Sequence, residues 1–88
     1  MASESTFPEW WDWELSFTAH AELGMEQRGV TEVYVRAMLE RATTYEPSVV
    51  EDRFMIHSVH EQHPWIVIVE PDVEAKLLVV VTSYEVSE

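Results

Sequence analysis

Two helices are predicted in the stretch Thr18–Ala42, TAHAELGMEQRGVTEVYVRAMLERA, and the rest of the chain is organised around them. Thr18 is a suitable N-cap for a first helix over residues 19–28, and Gly29 is a typical residue at the end of a helix. Thr31 then caps a second helix, with an acid in the first turn as the helix dipole favours. This stretch therefore predicts a helix–turn–helix unit with a break at Gly29.

The two helices differ in how strongly their sequences specify them. In the second, Val35, Met38, Leu39 and Ala42 follow the i, i+3, i+4, i+7 spacing of a buried helix face. In the first, Gly24 lies in the interior and costs about 1 kcal/mol relative to Ala. A close packing contact is the predicted reason for that glycine.

Strands are predicted on both sides of the helices. Residues 10–18 alternate apolar and polar, with Trp11 and Trp13 facing inward and Trp10 more exposed. Further strands are predicted at 53–59, at 65–69 (WIVIV) and at 76–84, and Val49-Val50 is a candidate edge piece. The fold class is therefore α+β, in the order β-α-α-β-β-β, with two helices packed on one antiparallel sheet.

The last two strands are apolar on both faces, so they are predicted to be central. Leu39 and Ile68 are accordingly predicted to be core residues. The helices can cover only one face of the sheet. A second copy of the chain, or the Trp-rich first strand, is expected to cover the other.

The chain has 88 residues, enough for a single domain, which we place at residues 10–86 after a flexible tail over residues 1–9. It has no Cys, which excludes disulfides and thiolate chemistry. We find neither a signal peptide nor an apolar run long enough to span a membrane. We expect a cytoplasmic protein. No Gly-rich phosphate loop is present, and no cofactor is expected.

Net charge is the strongest global feature. Seventeen acidic residues against five basic ones give −12 at neutral pH. A field of that sign repels nucleic acid and anionic membranes, and it favours solubility or a basic protein partner. The uncovered face of the sheet predicts a homodimer, and the negative charge predicts a basic partner as the alternative. The same charge disfavours binding to nucleic acid.

One family resemblance rests on a pattern of short motifs. The pattern comprises His20-Ala21, Met25, Arg28-Gly29-Val30-Thr31, Val35, Ala37-Met38-Leu39, Arg53 at the start of a strand, and a closing Val80-Val81-Thr82-x-Tyr84. With these motifs the chain resembles a small bacterial domain of unknown function related to the BrnT and RelE-type ribonuclease toxins. The resemblance implies the RelE/BrnT-like fold, and it would imply a toxin–antitoxin setting. Gly24 stands where the family pattern has an Arg.

A metal-independent ribonuclease needs groups that move protons and cations that hold the phosphate. His20 or Tyr84 could move protons, and Arg28 and Arg53 could bind the phosphate with two hydrogen bonds each. These four residues are the candidate catalytic set. The alternative is that His20 caps a helix and Arg28 pairs with one of the many carboxylates.

His57, His60 and His63 are weak candidates for a metal site. On a strand His57 and His60 project to opposite faces, and we predict His63 in a turn over residues 61–64. This spacing fits no metal template, so exposed hairpin histidines are the simpler interpretation and no metal is expected.

Three functions remain open from the sequence. The first is a non-catalytic domain of toxin-like fold that acts through protein contacts. The second is an endoribonuclease toxin of the BrnT/RelE kind. The third is an acidic inhibitor or immunity-type protein that covers a basic nuclease.

Overall fold

The computed structural model describes residues 8–42 and 44–86. It is an α+β fold with two helices and one five-stranded sheet. A 3-10 helix at Glu9–Asp12 comes first. The remaining elements are β1 (Glu14–Phe17), α1 (Ala19–Arg28), α2 (Glu32–Glu40), β2 (Thr44–Pro47), β3 (Phe54–His60), β4 (His63–Asp72) and β5 (Leu77–Glu85).

The strand order is β1-β5-β4-β3-β2, so the sheet is mixed. β2, β3, β4 and β5 pair antiparallel with their neighbours, whereas β1 pairs parallel with β5. The prediction of a wholly antiparallel sheet is therefore wrong at this edge. α1 follows β1 directly and crosses over the sheet. Because of this crossover, β1 and β5 can run in the same direction. The prediction that the last two apolar strands are central is confirmed.

Both helices have the predicted ends. The Thr18 hydroxyl accepts a hydrogen bond from the Ala21 amide, and the Thr31 hydroxyl accepts one from Tyr34. Gly29 ends α1 in the left-handed region at φ 70°, where a residue without Cβ carries no steric cost. The predicted close packing contact at Gly24 is not found: a Cβ there would lie 2.7 Å from a guanidinium nitrogen of Arg28, the end of an exposed, flexible side chain that can move aside.

The buried side chains of both helices form one cluster with one face of the sheet. The strand residues in this cluster are Ile56 on β3, Trp65, Val67 and Val69 on β4, and Leu78 and Val80 on β5. They alternate along each strand and oppose one another in the register, so they share a face. We call it the covered face. Leu39 is buried in this cluster, as predicted.

The Trp-rich segment does not form the predicted strand. β1 begins only at Glu14, and the preceding turn is a 3-10 helix whose tryptophans pack against the core cluster. Trp10 is half-buried rather than exposed, with its ring centroid 5.6 Å from Trp11 and 5.0 Å from Phe54. These rings lie on the helix side, so this segment does not cover the other face of the sheet. Of the predicted tail, residues 1–7 lie outside the described residues, and Glu9 begins the 3-10 helix.

Side chains from other elements satisfy the last carbonyls of α2. Trp11 Nε1 donates to the carbonyl of Leu39 at 3.2 Å, and Ser58 Oγ donates to that of Met38 at 2.6 Å. Helix ends leave such carbonyls without intrahelical partners, so these contacts attach α2 to the rest of the fold.

Two strand predictions need correction. The short edge strand is Thr44–Pro47, and Val49-Val50 forms a bend instead. Pro47 is tolerated because β2 is an edge strand, where a missing N–H breaks no ladder on the outer side. His63 is the first residue of β4, because the turn between β3 and β4 consists of Glu61 and Gln62 alone.

Candidate functional site

One side of the sheet has no helix packed on it in residues 8–42 and 44–86, and we call it the open face. It consists of the strand residues that alternate with the core cluster. These are Glu14 and Ser16 on β1, Leu77, Val79, Thr82 and Tyr84 on β5, Pro64, Ile66, Ile68, Glu70 and Asp72 on β4, Met55, His57 and Val59 on β3, and Thr44 and Glu46 on β2.

The centre of the open face is apolar. Ile68, Met55 and Val79 are half-buried, and Val59 is 44% exposed. Ile66 is buried by its neighbours on the sheet, yet it is not part of the core cluster. Ile68, predicted to be a core residue, therefore lies on the face that the helices leave uncovered.

Two basic side chains contact acids of the open face. Arg53 Nε donates to Glu70 Oε1 at 2.9 Å, and His57 Nε2 lies 2.7 Å from Glu46 Oε2. The side chains in both pairs are more than a third exposed. Pairs of this kind stabilise a fold by about 0–1 kcal/mol, so they shape the charge of the surface more than its stability.

A second feature is a cavity of about 340 Å³ at the end of the sheet beside the C-terminus of α1. We call it the histidine cavity. It is lined by Arg28, Gly29, His60, Glu61, His63, Trp65 and Glu85. The two-residue turn makes His60 and His63 cross-strand partners, which places both imidazoles on the same side of the hairpin.

His60 is the most enclosed polar group of this cavity. Its side chain is 9% exposed, and its ring centroid lies 5.0 Å from that of Tyr34 and 5.4 Å from that of Trp65. Its Nε2 is 3.9 Å from Glu61 Oε2, too far for a hydrogen bond. His63 Nδ1, in contrast, lies 3.2 Å from Glu85 Oε2. The cavity thus holds one buried imidazole and one that pairs with a carboxylate.

The four predicted catalytic residues do not converge on one cavity. Arg28 lines the histidine cavity, whereas Arg53 lies beside Glu70 and lines two other clefts. His20 is exposed near the start of α1, and Tyr84 lies on the open face opposite Ile66. The structure instead brings Arg28 together with His60 and His63.

Sequence reasoning missed this grouping because it placed His63 inside a four-residue turn. Two-residue hairpin turns usually contain Asn or Gly, since both residues need positive φ. Here Glu61 and Gln62 adopt φ 52° and 70°. The sequence therefore lacks the usual signal for this turn.

The arginines of the chain are dispersed, and each makes a structural contact. Arg28 donates to the carbonyl of Gly24, Arg36 to that of Trp13 and Arg41 to that of Val59, at 3.1, 2.8 and 3.2 Å. Arg53 pairs with Glu70. A surface that binds RNA needs cations gathered along one path, and these contacts hold the guanidinium groups apart.

Within the described residues, no group of three or more His, Asp or Glu side chains is placed to hold a metal ion. Neither α1 nor α2 has the length and apolar character that crossing a bilayer requires. No protein-family model matches the chain, and no similar protein was found among curated proteins or among solved structures. The function must therefore be argued from the geometry of the chain itself.

Proposed function

We propose that this chain is a non-catalytic protein-interaction domain whose open face is covered by another protein. The observation that carries the proposal is the group of half-buried apolar residues at the centre of that face, Met55, Ile68 and Val79. A strand that has one face on the core and the other in contact with water normally alternates apolar and polar residues. β4 has apolar residues on both sides from Trp65 to Val69 instead.

Contiguous apolar surface on a small domain favours association. In a chain of this size the core is small, so apolar residues that stay out of the core need another reason to be present. Binding to a partner is such a reason, because the partner would bury apolar surface that stays in contact with water after folding. Removing that surface from water favours association.

Charge and the arginine contacts support a non-catalytic role. With a net charge of −12, the chain repels a phosphate backbone before any specific contact forms. Arg53 is already paired with Glu70, and Arg28 folds back onto its own helix. The proposal includes a toxin-like fold, which the order of two helices followed by antiparallel strands supports, and a cytoplasmic location.

The test compares Ile68→Asp with Val33→Asp, which places the same charge at a valine on α2 that is 74% exposed. The uncharged hydrophobic dye Nile red should bind the wild-type chain and Val33→Asp, and bind Ile68→Asp much more weakly. Both variants should stay folded by circular dichroism. Equal dye binding by all three proteins would show that the open face is not the apolar surface, and the proposal would fail.

A ribonuclease is a second candidate, and the histidine cavity is the observation that favours it. Arg28, His60 and His63 line one cavity, and two imidazoles with a guanidinium are groups that can move protons and hold a phosphate. This set differs from the one predicted from the sequence, since it lacks His20, Arg53 and Tyr84.

Incubation with a fluorescently labelled single-stranded RNA, with a metal chelator present, decides between the two candidates. The non-catalytic proposal expects no cleavage. Cleavage that is lost in His60→Gln and kept in His57→Gln would instead establish the ribonuclease, because His57 lies on the open face away from the cavity.

A further inference from the structure

We propose that the partner of the open face is a basic amphipathic helix, with an apolar stripe flanked by Lys or Arg. This inference rests on the proposed function, since it names the chemistry of the protein that covers the same face. It is carried by the positions of acidic residues around the apolar centre.

Three cross-strand rows of the open face contain an acid, whereas the row of Tyr84, Ile66, His57 and Thr44 contains none. In the first row Leu77 lies between Glu14 on β1 and Asp72 on β4. In the second, Val79 is followed by Glu70. In the third, Ile68 and Met55 are followed by Glu46. Each of these three rows therefore presents apolar side chains with a carboxylate beside them.

Acids exceed bases on this face among the described residues. Its carboxylates are Glu14, Glu46, Glu70 and Asp72, and Arg53 beside Glu70 is the one arginine or lysine that contacts them. In the described residues Glu70 contacts Arg53 and Glu46 contacts His57, whereas no basic side chain contacts Glu14 or Asp72, so the face keeps a negative potential. The net charge of the whole chain has the same sign, so the face attracts cations at its edges while its centre stays apolar.

A second copy of the chain fits this face less well. A two-fold dimer brings the same patch of both subunits together, so acidic edges would meet acidic edges. Two chains of −12 would also repel each other during approach. A partner with basic edges removes both penalties and gains electrostatic attraction at the start of the encounter.

The size and shape of the face suit a helix. The opposite face of the same sheet already packs two helices against Val67, Val69, Val80 and Ile56. The open face offers the same kinds of side chain, and a third layer on a sheet is a common architecture. β4 has 10 residues, which corresponds to about 33 Å, and a helix of about 20 residues spans that length.

The experiment uses two synthetic helical peptides of about 20 residues, one built from Leu and Lys and the other from Leu and Glu in the same pattern. Binding to the full chain is measured by fluorescence anisotropy at low salt and at about 0.15 M salt, where the Debye length is about 8 Å. We expect the Leu/Lys peptide to bind, more weakly at the higher salt, and the Leu/Glu peptide not to bind.

Matched variants locate the site. The double variant Glu14→Gln, Glu46→Gln should weaken binding of the Leu/Lys peptide by about threefold to tenfold and reduce its salt dependence. The control is Glu26→Gln, Glu40→Gln, which makes the same change in net charge on exposed positions of α1 and α2. It should leave the affinity close to that of the wild type. Ile68→Asp should abolish binding, and Val33→Asp should not.

The outcomes separate this inference from the proposed function. Self-association that is lost in Ile68→Asp, without binding of the Leu/Lys peptide, would overturn the basic helix and keep the open face as an interaction surface. Equal losses in the two double variants would also overturn it, because the attraction would then be global. Peptide binding that survives in Ile68→Asp would place the contact elsewhere and remove both proposals.

Discussion

Val67 and Ile68 are neighbours on β4, yet their surroundings differ completely. Val67 is fully buried under the helices, whereas Ile68 is half-buried on the open face. Both faces of the sheet carry Ile and Val at the centre, so side-chain chemistry alone does not distinguish them. The difference is that two helices cover one face and none of the described elements covers the other. The covered face therefore accounts for stability, and the open face is the surface available for binding.

The largest expected effect comes from placing the same charge on the two faces. Val67→Asp buries an unpaired carboxylate in the core cluster and should cost about 4 kcal/mol or more. Ile68→Asp should cost less, about 1–3 kcal/mol, because its carboxylate reaches water and the loss is that of a half-buried apolar side chain together with its strand preference. Urea unfolding followed by circular dichroism measures both. If Ile68→Asp also unfolds the domain, then Ile68 is buried in the folded protein and does not lie on a face that is available for binding.

A cavity under the helices should also be costly. Leu39→Ala removes a side chain that is 1% exposed and should lower the free energy of unfolding by about 2–5 kcal/mol. The matched control is Leu23→Ala at an exposed position of α1, where little change is expected. Thermal unfolding checks both variants. An unchanged melting temperature in Leu39→Ala would remove this residue from the core.

Adjacent polar residues on β3 provide a finer comparison. Ser58 is buried on the covered face and donates to the carbonyl of Met38 near the end of α2, so Ser58→Ala should cost about 1–3 kcal/mol. His57 lies on the open face in an exposed pair with Glu46, and His57→Ala should change stability by less than about 1 kcal/mol. Equal losses in the two variants, measured by urea unfolding, would contradict the assignment of the faces.

The smallest effect is expected at the turn that joins β3 and β4. Glu61 and Gln62 both have positive φ, which Asn and Gly adopt more readily. The double variant Glu61→Asn, Gln62→Gly should therefore raise the free energy of unfolding by about 0.5–1 kcal/mol. It changes neither face of the sheet, so dye binding at the open face should stay the same. A loss of stability would mean that these side chains make contacts that matter more than the turn geometry.

The sequence predicted most accurately the parts of the fold that are set by near neighbours. The N-caps at Thr18 and Thr31 and the glycine at residue 29 act within one helical turn, and both helices begin where these caps predict. The apolar runs of β4 and β5 predicted central strands with apolar residues on both faces, and both strands are central in the sheet. These inferences depend on local pattern alone.

The errors arose where distant residues decide the structure. The Trp-rich segment alternates like a strand, but packing against Tyr45, Phe54 and Leu39 turns it into a 3-10 helix. The parallel pairing of β1 with β5 joins segments far apart in sequence, and no local signal encodes it. The histidine cavity depended on the exact register of a hairpin that lacks Asn or Gly.

The pairing of β1 with β5 also sets the order in which this domain can form during synthesis. The hydroxyl of Thr18, just after β1, donates to the carbonyl of Val81, a separation of 63 residues. A ribosome adding about 5–20 residues per second needs several seconds to produce that interval. During this time β1 and the aromatic segment before it have left the exit tunnel without their strand partner. The nascent chain therefore keeps β1 without its strand partner until β5 emerges, so this edge of the sheet is the last to form.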